Sequence, residues 1–387
     1  MRSAWVVLAA ALASAIESPA QNLPPGQLLE AVTTVADATQ SYALYLPSTY
    51  TADRAWPILI GFHPGARGRA IVETYREAAE RYGFIVAGSN NSRNGPWEVS
   101  RRAATSMFQD LGQRFAVDDR RIYLTGHSGG SRVALEIALR NPQIAGVIAS
   151  SAGYPDVHPR ASVRFPIFAT AGTEDFNYIE MRMLGRALKT PHRLVIFPGG
   201  HTLPPPAVAM QAIEWLELQG MASGLRPRDE SLLNRLWTAQ DRAIADAGDT
   251  AAAVHLLRDM AEDFRRLRDV KPLEARASEL AKHKAIKSAL ERERDGDDRE
   301  LRTLSELTEY QAGLSGEALR SQSLQSLDRL LGDLHTQATA TEDSPERARA
   351  RRLLRVVAMN ATEGTPDPEY LKLLRKYSLP QSGRGGS

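Results

Sequence analysis

Apolar positions fall into two regimes along the chain. Between about Gln40 and Gly220, short apolar runs read as strands: "YALYLP" (42–47), "PILIGFH" (57–63), "GFIVAGS" (83–89), "RIYLTG" (121–126), "AGVIASSAG" (145–153), "FPIFATAG" (165–172) and "HRLVIFPGG" (192–200). Several are apolar at consecutive positions, as parallel strands buried on both faces are. Between them, "AIVETYREAAERYG" (70–83), "RRAATSMFQDLGQRF" (101–115), "SRVALEIALRNP" (131–142) and "AVAMQAIEWLELQG" (207–220) space their apolar residues as helices do. This alternation predicts an α/β domain with a mainly parallel, doubly wound sheet over 38–220, preceded by a linker at 21–37.

After Gly220 the strand signals stop. The remainder is charge-dense and rich in Leu and Ala, with helical spacing at 252–270, 273–294, 317–335 and 344–359. Ser344 followed by Pro345 makes a good N-cap and first-turn pair. These segments predict an all-α C-terminal domain of five or six helices over 221–380, then a disordered tail at 381–387. No fixed period supports a repeat solenoid.

A chain of 387 residues suits two domains, and 43% apolar with 24% charged residues is an ordinary globular balance. Its 48 basic and 46 acidic residues are interspersed, with no run of the kind that tracks phosphates, so nucleic acid is not an expected partner. Residues 1–20 carry Arg2, an apolar stretch from Ala4 to Ile16 and then small residues. They read as a signal peptide, cleaved after Ala15 or Ala20, which implies a secreted or periplasmic protein. No later stretch is apolar enough to span a bilayer, so no membrane span is expected once the leader is gone. With no cysteine, the chain has no disulfide and no thiolate-bound zinc.

The candidate chemistry begins at Gly126-His127-Ser128-Gly129-Gly130, which fits G-x-S-x-G between a predicted strand and a predicted helix. Glycines there permit a sharp turn that exposes the serine oxygen at a helix start. The competing reading is that Ser128 merely caps that helix. A serine nucleophile needs a base, a group to orient the base and donors for an oxyanion. Asp175 follows the predicted strand at 165–171 and His201 the one at 192–197, both at the carboxyl edge of the sheet where sites of open α/β folds form. Glu174 competes as the acid. His63, His127, His158 and His192 compete as the base, with His127 expected to point elsewhere and His63 to brace its loop.

One oxyanion donor is expected from the Gly129 amide. A second is expected from the loop 63–68, at Gly65 or Ala66, since Pro64 has no N–H. "SNNSRNGPWE" (89–98) lies at the same predicted edge, making Asn91, Arg93, Asn94 and Trp97 candidate substrate contacts.

Residues 38–219 resemble the α/β-hydrolase superfamily, specifically secreted serine esterases of the polyhydroxybutyrate depolymerase and feruloyl or acetylxylan esterase type. The resemblance rests on "FAVDDRRIYLTGHSGGSRVAL" (115–135), "GTED" (172–175) and "GGH" (199–201). It implies an acyl-enzyme on Ser128 with Asp175 and His201 completing the triad, an ester substrate that is polymer- or carbohydrate-linked in some members, and no metal or organic cofactor. His63-Pro64 stands where that type has His-Gly, and the helical C-terminal half lies outside the pattern. The same machinery also suits a serine peptidase or an acyltransferase. A different class is a secreted interaction protein whose helical half binds an unknown partner over an inactive hydrolase scaffold.

Overall fold

The computed structural model describes residues 23–158, 160–360 and 367–379. The leader expected at 1–20 and the tail expected at 381–387 lie outside the described residues. Eight strands form one sheet in the order β1-β2-β4-β3-β5-β6-β7-β8. They are β1 (Leu28–Thr33), β2 (Ser41–Tyr45), β3 (Trp56–Phe62), β4 (Ile85–Ser89), β5 (Val117–His127), β6 (Ile144–Ser150), β7 (Ile167–Gly172) and β8 (His192–Phe197). β1 and β2 pair antiparallel, β2 also pairs antiparallel with β4, and every later pairing is parallel. This is the sheet of an α/β-hydrolase fold.

Strand alternation sorts side chains into two cores. Ile58 and Ile60 of β3 join the core beneath α2 (Trp97–Arg114), α3 (Gly129–Arg140) and α4 (Tyr178–Ala187). Leu59, between them, joins the opposite core beneath α1 (Gly68–Tyr82) and α5 (Pro206–Ala222). Helices on both faces explain the unbroken apolar runs, because no position of β3 or β7 meets water.

Two differences from the expected organisation have local causes. The segment 21–37, expected as a linker, contributes β1, a mostly exposed edge strand in which only Val32 is buried, so no run of apolar positions marked it. The helical run at 273–294 is two helices, α8 (Lys271–Leu280) and α9 (Lys284–Gly313), separated by a turn at Ala281–His283. Nothing in the composition of that turn stops a helix. The bend lets Leu280 and Ile286 enter one shared core.

The helical half comprises α6 (Glu230–Ala247), α7 (Ala251–Phe264), α8, α9, α10 (Arg320–Ala338), α11 (Pro345–Asn360) and α12 (Pro368–Lys376). The Ser344 hydroxyl accepts from Arg347 N at 3.1 Å, capping α11. α9, 30 residues long, packs Ile286 and Leu290 into the core of α6–α8 and Leu307 into the core of α10–α12. α5 joins the two halves of the chain: its Trp215 and Leu216 pack on the sheet, while Leu218 and Met221 belong to the core of α6–α8. A helix covered on both sides has no polar face to show, and residues 215–221 are all buried.

A buried charge cluster also fastens α7 to β8. Arg193 of β8 is bonded by Asp263 and by Asp259, the latter at 3.0 Å, and Asp263 also accepts from Trp215 Nε1 at 2.7 Å. Removing Asp263 would leave the buried Arg193 guanidinium with only the half-exposed Asp259 and leave an indole N–H without an acceptor. Asp263→Ala is therefore expected to cost about 3–5 kcal/mol in urea unfolding. Asp263→Asn, which keeps a hydrogen-bond acceptor for Trp215, is expected to cost less.

Candidate active site

β5 ends at His127, and the chain turns at Ser128 with φ 53° and ψ −125°. Positive φ in a residue with a Cβ is uncommon and costs on the order of 1–2 kcal/mol. The surroundings enforce it. A Cβ on Gly126 would lie 2.2 Å from Gly130 O, and one on Gly130 would lie 2.1 Å from Phe62 O, so the turn closes only with hydrogen at both positions. The Ser128 amide donates to Ser150 O of β6 at 2.8 Å, tying the turn to the neighbouring strand. Ser128 makes no side-chain capping bond to α3, so capping does not account for the residue. Gly129 opens α3, where backbone amides have no acceptor one turn earlier.

The loops after β6, β7 and β8 are stitched together past the strand ends. Ser151 N donates to Thr170 O at 2.8 Å, Thr173 N to Phe197 O at 2.9 Å and Glu174 N to Gly199 O at 2.7 Å. Asp175 is fully buried, and its Oδ1 accepts both His201 Nδ1 and Asn177 N, at 2.7 and 2.8 Å. That arrangement places the ring proton on Nδ1 and leaves Nε2 as the acceptor. Phe176 stacks on the His201 ring with centroids 3.9 Å apart, restricting its rotation. Glu174, the competing acid, is turned away: its carboxylate is bonded by Arg351 and Arg355 of α11. Among the described residues no hydrogen bond joins the Ser128 hydroxyl to His201. Such contacts commonly tighten only around bound substrate.

His127 was expected to point elsewhere, and the structure corrects this. Its ring lies 4.8 Å from that of His201 and 5.7 Å from that of His63, centroid to centroid. The strand runs right up to His127, so its side chain leaves from the same sheet edge that carries the two loops. Burial, then the neighbouring His201, His63 and Arg67, bring its pKa down to about 3. Burial, Arg67 and His201 likewise bring His63 down to about 4.

The loop 63–68 is more committed than expected. Ala66 N donates to His63 O at 3.1 Å, which removes it as a ready oxyanion donor. Gly65 N faces His63 Nδ1 at 3.0 Å, while Arg67 Nη2 faces His63 Nε2 at 2.9 Å. A neutral imidazole has one acceptor nitrogen, so it can serve only one of these two donors at a time. With Arg67 bonded, the proton sits on Nδ1 and the Gly65 amide is released.

The candidate substrate contacts divide. Asn91 is structural: Oδ1 accepts from Ser41 N at 2.8 Å and Nδ2 donates to Thr39 O at 3.1 Å, bracing β2. Arg93 is exposed, and its backbone bridges to Gly65. Asn94 N donates to Pro64 O at 2.8 Å, and its Oδ1 occupies the space a side chain at 129 would need. Trp97 is 44% exposed at the start of α2. His158 is exposed on its loop, and His192 opens β8 at the far end of that strand. The residues missed from sequence were His127, Phe176 and the α11 arginines. Phe176 adjoins Asp175, and the basic run "RARARRLLR" (347–355) marks the arginines, yet neither stretch says what it packs against.

No protein-family model matches this sequence, and no curated protein matches it. Solved structures similar to part of the chain include a ferulic acid esterase, at 14% identity over 48% of this chain and 94% of that one, with a TM-score of 0.40. A hyperthermophilic esterase from Pyrobaculum calidifontis aligns at 12% identity over 52% and 88% of the two chains, TM-score 0.40. Est1E from Butyrivibrio proteoclasticus aligns at 16% identity over 50% and 100%, TM-score 0.39. At such low identity the fold rests on the strand order itself. Among the described residues no helix is long and apolar enough to cross a membrane.

The two depressed imidazoles make stability depend on pH. Unfolded, each takes up a proton near pH 6.5, whereas folded His63 and His127 stay neutral down to about 4 and about 3. Their contribution is complete above pH 6.5 and is lost as the pH falls, at about 1.4 kcal/mol per pH unit for each ring. Between pH 4 and 6, His127→Asn is expected to reduce the pH slope of unfolding free energy by that amount per unit. An unchanged slope in urea titrations would contradict it.

Proposed function

We propose that the protein is an exported serine hydrolase of carboxylic esters acting through an acyl-enzyme on Ser128. The observation that carries this reading is the strained Ser128 turn, held open by backbone contacts on both sides and not used to cap its helix. The Asp175–His201 pair, whose imidazole lies 4.8 Å from the ring of His127 next to Ser128, would supply the remaining chemistry. In this mechanism His201 Nε2 takes the hydroxyl proton as Ser128 Oγ attacks the ester carbonyl. Asp175 holds the imidazole by Nδ1 and stabilises the imidazolium. The carbonyl oxygen becomes an oxyanion, met by the Gly129 amide and by the Gly65 amide once Arg67 occupies His63. Collapse expels the alcohol, which takes the proton from His201. Water, activated by the same nitrogen, attacks the acyl-enzyme and releases the acid and Ser128.

We assign Arg93, Asn94 and Trp97 to the substrate rim on the strength of Asn94 reaching Gly129 and Arg93 bridging to Gly65, and a half-exposed indole suits a flat sugar or aryl group on the ester. Export rests on the leader-like sequence at 1–20. The test is hydrolysis of chromogenic esters from acetyl to long acyl, together with feruloyl, by the mature chain. Ser128→Ala is expected to lower kcat by at least about ten-thousandfold, and Asp175→Asn by roughly a thousandfold or more. Turnover that survives Ser128→Ala would overturn the reading.

A further inference from the structure

We propose that Arg351, Arg352 and Arg355 of α11 are positioning residues for the acid loop, so that the helical half is a working part of the active site. This inference rests on the triad reading above. The loop Thr173–Asp175, directly after β7, is gripped from outside the α/β fold by one helix face. Arg351 Nη1 bonds Glu174 Oε1 at 2.7 Å, and Arg355 Nη2 bonds Glu174 Oε2 at 2.9 Å. Two further bonds go to the backbone: Arg352 Nη1 to Thr173 O and Arg355 Nη1 to Glu174 O, both at 2.6 Å. Those two carbonyls flank the peptide groups leading into Asp175, so the guanidinium groups fix the main chain that aims the carboxylate.

The far side of Asp175 is held from the same direction. Arg352 lies over the Tyr178 ring at 3.9 Å, and Tyr178 N donates to Asp175 O at 2.9 Å. Arg352 is itself buried and forked onto Glu300 of α9, with Nε to Oε1 at 2.8 Å, which makes the clamp rigid. Arg182 and Arg186 of α4 bond Asp297 of α9 at 3.0 and 2.7 Å, anchoring the helix that follows the loop.

Exposed ion pairs usually contribute little. This set differs in its target. The arginines converge on the loop that carries the acid, spend two bonds on its carbonyls, and engage the neighbouring carboxylate that would otherwise compete for His201. Burial opposes the ionised form of Glu174, but Arg351 and Arg355 outweigh it and hold the carboxyl below its ordinary value. Glu174 therefore stays a charged anchor across the neutral range.

The full chain carrying Arg351→Ala and Arg355→Ala tests the clamp, with circular dichroism and melting confirming the fold. Ester hydrolysis is expected to lose roughly tenfold to a hundredfold in kcat, with KM little changed. The low-field proton resonance of the His201 Nδ1–H bonded to Asp175 should weaken and move upfield, because a loosened Asp175 holds that proton less firmly. Arg351→Lys with Arg355→Lys should recover part of both. A folded double variant with wild-type kcat and an unmoved resonance overturns the proposal, as does a loss of kcat with the resonance unmoved. The same spectrum on the Ser128→Ala background separates this from failure of the hydrolase reading. There the resonance should move upfield on adding the two arginine substitutions, whether or not any ester is turned over, and an unmoved resonance overturns the clamp.

Discussion

Everything at the candidate centre depends on the backbone crowding around Ser128. The residue sits in a conformation that disfavours a side chain, and it stays there because Gly126 meets Gly130 and Gly130 meets the end of β3 with no room for a Cβ. β5 has neighbours on both sides, so the sheet sets where the turn happens. The strain of one residue is offset by a sheet that buries most of its strand positions. The local result is a hydroxyl lifted off the sheet edge and a first helical turn whose amides have no internal acceptor.

The second constraint is that four adjacent parallel strands end at the same edge. β5, β6, β7 and β8 deliver Ser128, Ser150, the acid loop and the His201 loop in spatial sequence, and backbone bonds continue the ladder beyond the strands. The helical half closes this arrangement from one side. α5 shares its apolar surface between the sheet and the core of α6–α8, and the buried Arg193 cluster adds a polar fastening. α9 then spans both helical cores, with its polar midsection, Asp297 and Glu300, turned to arginines of α4 and α11. A helical appendage attached in this way has no reason to move independently of the acid loop.

Much of this was legible in the sequence where a pattern is local. The runs at 57–63, 83–89 and 165–172 declared buried parallel strands, and the elbow motif between a strand and a helix identified Ser128. Order along the chain pointed to Asp175 and His201, which the structure pairs at 2.7 Å. What escaped was decided by distant partners. β1 is short and buries only Val32, so it looks like a linker until it pairs with β2. The break between α8 and α9 has no breaker residue, because packing imposes it. His127 looked like a spacer in the motif, and its approach to His201 depends on how far β5 extends. Gly65 and Ala66 read as spare amides, but the His63 carbonyl occupies Ala66, and Gly65 competes with Arg67 for the His63 ring. The arginines of α11 lie in a segment read only as a helix, and only the fold brings them to a loop about 180 residues earlier, as in the pairs Arg351 to Glu174 (177 apart) and Arg355 to Glu174 (181 apart).

The central claim is that Ser128 is an activated nucleophile, and a fluorophosphonate tests it without requiring the natural substrate to be known. The protein should gain one phosphonyl group by intact mass, mapped to Ser128 by peptide sequencing, with labelling abolished by Ser128→Ala and strongly slowed by His201→Ala. A folded protein that takes up no label, or takes it up at another residue, would contradict the claim.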